Sequence, residues 1–326
     1  MELKQEIIRI LEENRGKSIS GTQIAKELHV TRSAIWKNIK QLQEEGYHIE
    51  AASNRGYLLS ESNDILTAES ISPYLKGKAL YFTLDVKKTV TSTNTLAKEM
   101  AAKGAPSGSV LIALEQTKGR GRMGRSFYSP NSTGLYLSII LRPDLSLEDS
   151  LLITTSAAVA VAKAIEKLTG NDVDIKWVND LFMKGKKVCG ILTEASLNVE
   201  SGGLEYAVVG IGINVSTKDF PDKLQKVAGS IFSDKPDDRP ITSLLAAQVL
   251  NNLAEAMDNI TDLDYLKEYK KRSFLIGEDI FVLKGKDSYP AKAIDIDERA
   301  RLVVEYSNGD REHLLSGEVS VRIKPE

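Results

Sequence analysis

The 326-residue sequence contains one cysteine, Cys189, so neither an internal disulfide nor a cysteine-cluster metal site can form. Its three histidines, His29, His48 and His313, are scattered without metal-ligand spacing, which argues against imidazole-held metal chemistry. No apolar run approaches the roughly 18 residues a membrane-spanning helix needs, and no signal peptide is recognisable, so the expected compartment is the cytoplasm. The net charge is only −2, so any contact with nucleic acid has to come from a local patch. What remains is an ordinary globular composition, 42% apolar and 27% charged, long enough for two or three domains.

One stretch departs from that ordinary background. Between strand-like runs at 109–115 and 134–141 lies Gln116-Thr117-Lys118-Gly119-Arg120-Gly121-Arg122-Met123-Gly124-Arg125-Ser126-Phe127. Lys118, Arg120, Arg122 and Arg125 put four cations here with no acid among them, and three glycines alternate with them. Such a segment repels itself and has little apolar surface to bury, so alone it is expected to be mobile. Guanidinium forks bind phosphate bidentately, and glycine lets backbone N–H groups come close to it. Two readings stand at this point: a loop that orders around a phosphate-bearing small molecule, or an RGG-like contact with nucleic acid.

Residues 1–65 read as a DNA-binding unit. Leu3, Ile7, Ile10 and Leu11 recur at helical spacing, Gly16 breaks the pattern, and Ile24, Ala25 and Leu28 mark a short second helix. Thr31 is the expected N-cap of a third helix, in which Ile35, Ile39 and Leu42 face the core. The other side of that helix displays Arg32, Ser33, Trp36, Lys37 and Lys40, with no acid before Glu44. Helix, short turn and cationic helix make the helix-turn-helix layout. A hairpin follows, 47–52 and 57–59, of the right size for a wing, with Arg55 at its tip. A plain interaction module, with Trp36 packed at a domain contact, is the competing reading. Ser62-Asn63-Asp64 is expected to be the linker to the next domain.

The central region, 66–272, carries further candidate contacts. After a strand-like stretch at 80–84, Ser92, Thr93 and Asn94 stand at the start of a helix bearing Leu96, Ala97, Met100 and Ala101. One of these hydroxyls is expected to cap that helix, although several together also suit a polar ligand. Lys186 and Lys187 lead into a strand, and Lys187 at its mouth reads either as an ammonium that could neutralise a carboxylate–phosphate transition state or as a solvated strand-end lysine, the commoner fate of such residues. Another strand ends Gly210-Ile211-Gly212-Ile213-Asn214, with glycines that permit close approach.

The motifs Gly-Arg-Gly-Arg-Met-Gly-Arg at 119–125, Lys-Trp-Val-Asn-Asp at 176–180, Lys-Lys-Val-Cys-Gly-Ile-Leu at 186–192 and Gly-Ile-Asn at 212–214 occur in the order found in biotin–protein ligases. With the winged helix in front, the chain resembles the bifunctional bacterial type, ligase and biotin operon repressor in one polypeptide. The resemblance spans essentially the whole chain. It implies an α+β multidomain fold: a winged helix-turn-helix at 1–65, a class II synthetase-like α+β ligase domain at 66–272 and a small SH3-like β-barrel at 273–326. The last of these is also read directly from five short β-rich runs separated by turns.

The activity implied is condensation of biotin with ATP and Mg²⁺ to biotinyl-5′-AMP, followed by transfer to a lysine of a biotin carboxyl carrier protein or other biotin-accepting domain. The adenylate-bound homodimer would bind operator DNA. By motif, Ser92, Thr93, Asn94 and Gln116 would hold the biotin head, and Arg120, Gly121 and Arg122 would wrap the carboxylate and α-phosphate. Lys187 would stabilise developing charge. Lys176, Asn179, Asp180 and Asn214 would serve the nucleotide, with Phe127 stacking on adenine. The Mg²⁺ ligands stay unassigned. Val178 replaces the family's usual proline, and Phe127 a tryptophan of some members. A sensor that binds but does not catalyse, and a lipoate or octanoyl ligase, are the alternatives weighed. Cys189 is expected to pack, not to react.

Overall fold

The computed structural model describes residues 2–52, 56–197, 203–315 and 319–323. They fall into two compact units, residues 1–76 with 234–248, and residues 77–233 with 249–326.

The first unit begins with α1 (Leu3–Glu13), α2 (Gly21–Glu27) and α3 (Arg32–Glu44), followed by the antiparallel pair β1 (Ile49–Ala52) and β2 (Gly56–Leu59). Ile7, Ile10, Leu11, Ile24, Ile35, Ile39 and Leu42 are buried together, so the 3.6-residue periodicity of all three helices meets in one core. Thr31 caps α3 as expected, its hydroxyl accepting the Ala34 N–H at 3.2 Å, while Ser20 caps α2. The expected linker is pinned. Asn63 is buried and its Oδ1 accepts the His48 N–H at 3.1 Å. The Asp64 carboxylate accepts from the N–H and hydroxyl of Thr242 and pairs with Lys235 at 2.9 Å. Short polar side chains look like a spacer in sequence because their capping partners are distant in the chain. The unit continues through α4 (Ala68–Ile71).

The second unit is built on a seven-stranded sheet. Its strands are β3 (Thr83–Val90), β4 (Ser109–Gln116), β5 (Gly134–Leu141), β6 (Asp174–Lys176), β7 (Asp180–Met183), β8 (Lys186–Leu197) and β9 (Leu204–Asn214). The order is β3-β4-β5-β9-β8-β7-β6, with β3 and β4 parallel and the other neighbours antiparallel. The strand expected at 80–84 starts only at Thr83, the first residue with a partner in β4. Leu80 and Tyr81 belong to a 3₁₀ turn and are exposed, so an apolar run was there but no neighbouring strand to bury it. Helix α5 (Thr93–Ala102) packs on β4, β5 and β9, and the long α6 (Ser150–Thr169) on β7, β8 and β9. Helices α7 (Asp222–Gln225), α8 (Ile241–Asp258) and α9 (Asp264–Arg272) follow. Strands β10 (Asp279–Lys284), β11 (Asp287–Ile296), β12 (Leu302–Tyr306), β13 (Arg311–Leu314) and β14 (Val319–Ile323) then form a small antiparallel sheet ordered β13-β12-β11-β10-β14.

Candidate active site

A row of glycines makes the floor. Gly190 of β8 lies opposite Gly212 of β9, and Leu192 opposite Gly210. A Cβ at Gly210 would fall 1.9 Å from Asn94 Oδ1, and one at Gly212 would fall 2.5 Å from a Phe127 ring carbon. Gly210 and Gly212 share a face because strand side chains alternate with period two. The bare strands therefore let α5 and the basic loop come down onto the sheet.

At one end of this floor sits a polar network. Gln116 Oε1 accepts both the backbone N–H (2.8 Å) and the hydroxyl (3.1 Å) of Thr93. Ser92 occupies the N-cap position of α5, yet its hydroxyl makes no capping bond; the glutamine of β4 satisfies that helix end. Asn94 Nδ2 donates to Leu192 O and to Glu194 Oε2, each at 3.1 Å, and Ser138 Oγ lies 2.7 Å from Asn94 Oδ1. These bonds fix which face of each amide is donor and which acceptor.

The basic loop closes over the floor. Lys118 N–H donates to Thr91 O at 2.8 Å, Phe127 N–H to Gly119 O at 2.9 Å, and Gly121 N–H to Arg125 O at 2.7 Å. Gly119 is obligatory, because a Cβ there would meet the Phe127 carbonyl at 2.3 Å. The segment expected to be mobile on its own carries internal backbone bonds here. Backbone bonds give it a defined turn, and the fold brings up acid that the local sequence lacks. Arg120 Nη2 pairs with Glu194 at 3.2 Å, and Arg122 Nη1 donates to Asn179 Oδ1 at 3.2 Å. Burial pulls the Arg122 guanidinium pKa down, helped by like-charged Arg125 and opposed by Asp180.

The opposite wall is the β6–β7 turn, whose Trp177–Val178 peptide is cis. Asn179 Nδ2 donates to Ile191 O at 2.6 Å, and Asp180 Oδ1 pairs with Lys187 Nζ at 2.6 Å. Together these walls enclose a cavity of about 540 Å³, lined among others by Ser92, Thr93, Asn94, Gln116, Arg120, Gly121, Arg122, Phe127, Lys176, Asn179, Asp180 and Lys187. That volume suits a small organic ligand.

Asn214 is the exception. It is buried, its amide donates to Gly229 O at 2.9 Å, and it does not line the cavity. An amide at a strand end looks like a ligand contact; here its NH₂ is engaged by the chain fifteen residues on. The sequence reading missed Leu224, Lys226 and Val227, which line the cavity because Lys187 N–H donates to Val227 O at 2.9 Å. Nothing in the composition of that stretch signals it. It also missed Glu194, one strand period beyond Leu192. Burial pushes the Cys189 thiol far above its ordinary pKa, so it is no nucleophile at neutral pH.

In the first unit, Arg32, Ser33, Trp36, Lys37 and Lys40 are all exposed along α3, with Trp36 57% accessible rather than packed. Arg55, expected at the wing tip, lies outside the described residues. No helix among the described residues is long and apolar enough to cross a membrane.

Three family descriptions match the chain in order: an HTH domain at 4–58, the Biotin/lipoate A/B protein ligase family at 86–214, and the Biotin protein ligase C terminal domain at 275–322. The Bifunctional ligase/repressor BirA of Bacillus spizizenii is 38% identical over 231 residues, 70% of either protein. That of Escherichia coli is 27% identical over 310 residues, 94% of either protein. Among solved structures, the biotin protein ligase from Aquifex aeolicus in complex with biotin and ATP superposes with a TM-score of 0.62 at 27% identity. It covers 74% of this chain and 99% of that one. With a cationic helix-turn-helix ahead of this glycine-floored cavity, the chain belongs to the bifunctional biotin ligase/repressor family.

Proposed function

We infer that this chain activates biotin with ATP to biotinyl-5′-AMP, transfers the biotinyl group to a lysine of an acceptor protein, and represses transcription through its N-terminal unit. The observation that carries the reading is the cavity itself. A neutral amide-and-hydroxyl wall and a cationic loop meet over a floor opened by Gly190, Gly210 and Gly212.

The roles follow from that polarity. Ser92, Thr93, Asn94 and Gln116 suit the uncharged ureido head, since their donors and acceptors are already oriented. Arg120, Gly121 and Arg122 suit the carboxylate and α-phosphate. A biotin carboxylate oxygen attacks the α-phosphorus; the new P–O bond forms as the bond to pyrophosphate breaks. Lys187, held in place by Asp180, neutralises the charge that develops there. Partial burial of Arg122 strengthens its pull on the same oxyanions. In the second half-reaction an acceptor lysine amine attacks the acyl carbon, an amide forms, and AMP leaves with its phosphate still held by the loop. Phe127, whose ring comes down on Gly190 and Gly212, offers adenine a stacking partner, and Lys176, Asn179 and Asp180 bound the nucleotide side.

Mg²⁺ belongs to this reading as the ion that ATP carries. Magnesium is held by one or two carboxylates plus substrate phosphates. Asp180 is the carboxylate in the cavity lining, so the donor set fits an ion delivered with the nucleotide. No step is assigned to it.

For repression, Arg32, Ser33, Trp36, Lys37 and Lys40 present the major groove with a face of one sign. The adenylate would favour a homodimer by differential affinity, filling a preformed loop rather than shaping a formless one. Biotin-dependent exchange of pyrophosphate into ATP tests the enzyme; no exchange would leave only a sensor. Sedimentation equilibrium tests the switch: one dimerisation constant with and without biotinyl-5′-AMP would contradict it. The domain limits proposed are 1–65, 66–272 and 273–326.

A further inference from the structure

We propose that Glu194 is a positioning residue that sets two groups of the reaction cavity at once, the Asn94 amide and the Arg120 guanidinium, an inference that rests on the ligase reading above. Its carboxylate sits on β8 with 19% of the side chain accessible, and side chains from two other elements converge on it. Lys98 Nζ approaches Oε1 at 2.7 Å and Asn94 Nδ2 donates to Oε2 at 3.1 Å, both from α5. Arg120, from the basic loop, reaches Oε1 at 3.2 Å and Oε2 at 3.3 Å. Asn94 and Lys98 are four residues apart and so share one helix face. Burial raises the Glu194 carboxyl, but Lys98, Asn94 and Arg120 outweigh it and hold the group ionised below its usual range.

An ionised carboxylate only accepts. Together with the Leu192 carbonyl it therefore holds the Asn94 amide with its NH₂ toward β8 and its oxygen toward Ser138. The same oxygens hold the Arg120 guanidinium beside that amide. One charge thus supports both the hydrogen-bonding sense offered to a ureido head and the place of a cation offered to a carboxylate–phosphate. An amide in its place loses the charge that holds Arg120 and offers Asn94 a donor, leaving the Leu192 carbonyl alone to keep that side chain's sense. Lys98 keeps the surrounding charge balance but touches neither group.

Glu194→Gln, Glu194→Asp and Lys98→Met in the full-length protein test this by biotin-dependent pyrophosphate exchange, with thermal melts alongside. Glu194→Gln is expected to raise the KM for biotin about tenfold and to speed release of biotinyl-5′-AMP about tenfold, with the KM for ATP within twofold. Glu194→Asp, which keeps the charge, is expected to stay within threefold of wild type for biotin, as is Lys98→Met. Equal biotin KM values in Glu194→Gln and wild type would overturn the inference. So would Glu194→Asp or Lys98→Met being as impaired as Glu194→Gln, or Glu194→Gln failing to fold, since the carboxylate would then serve only the local structure. Wild-type protein without biotin-dependent exchange would instead defeat the ligase reading and take this inference with it.

Discussion

The indole N–H of Trp177 donates to the backbone carbonyl of Ala300 at 3.0 Å, so the turn between β11 and β12 supports the wall of the catalytic cavity directly. The hydroxyl of Tyr269, on α9, donates to Val178 O at 2.9 Å on the next residue. Two bonds from outside the central sheet thus hold the turn that carries Lys176, Asn179 and Asp180.

Tyr269→Phe removes one of these bonds and nothing else. A buried neutral hydrogen bond contributes about 1 kcal/mol. The KM for ATP is therefore expected to rise about fivefold while that for biotin stays within twofold, by steady-state exchange kinetics. Tyr265→Phe, on the same helix but bonded to Leu152 and Thr155, serves as the control. Parallel changes in both KM values would show that Tyr269 acts on the fold at large.

The glycine floor gives the sharpest steric test. Gly210→Ala forces a methyl into Asn94 Oδ1, and the KM for biotin is expected to rise at least thirtyfold, read by pyrophosphate exchange. An unaltered KM would mean that Asn94 plays no part in binding biotin.

Much of this site was visible in the sequence because charge and missing side chains are properties of single residues. The alternation of arginine and glycine at 119–125 and the lysine pair before Val188 needed no fold to be noticed. Asn214 and Glu194 show the opposite case. What each side chain does is decided by partners many residues away, the Gly229 carbonyl and Arg120 respectively, and local pattern carries no trace of them. The partners of Asn63 and Asp64 are hidden on the same ground, and Leu80–Tyr81 differs because an apolar run is a strand only where a neighbour pairs with it.

Acid should weaken the second unit through Glu166. Burial pushes its carboxyl up, but Arg272, which donates to Oε2 at 2.9 Å, and the Val173 N–H outweigh that and leave the pKa lowered. A folded pKa below the unfolded one means the stabilisation is complete above about pH 4.3, the ordinary glutamate value, and is lost as pH falls through the folded value. Urea titrations should show Glu166→Gln less stable by about 1 kcal/mol at pH 7, since Arg272 keeps Glu268 as a partner. That gap should narrow below about pH 4; a constant gap down to pH 3 would contradict the assignment.

On the DNA side, Lys37→Ala and Lys40→Ala should each reduce the slope of log affinity against log salt by about 0.9 and leave ligation unchanged. Titration of operator fragments at several salt concentrations measures this. Loss of ligation in either variant would mean that the two functions are not separable.

Cys189 is buried, with its thiol pKa raised by desolvation. It should resist alkylation by iodoacetamide in the native protein and react only in denaturant, as followed by mass analysis. Rapid native modification would contradict its packing role.

Retention of the adenylate is the most direct test of the whole account. Wild-type protein and Arg122→Ala are incubated with biotin, ATP and Mg²⁺, desalted, and assayed by mass for bound biotinyl-5′-AMP over time. Wild type is expected to keep one adenylate per chain, while Arg122→Ala forms it and loses it at least tenfold faster with its melting temperature little changed. No adenylate on the wild-type protein, or equal retention by both, would contradict the claim that the arginine–glycine loop holds an acyl-adenylate.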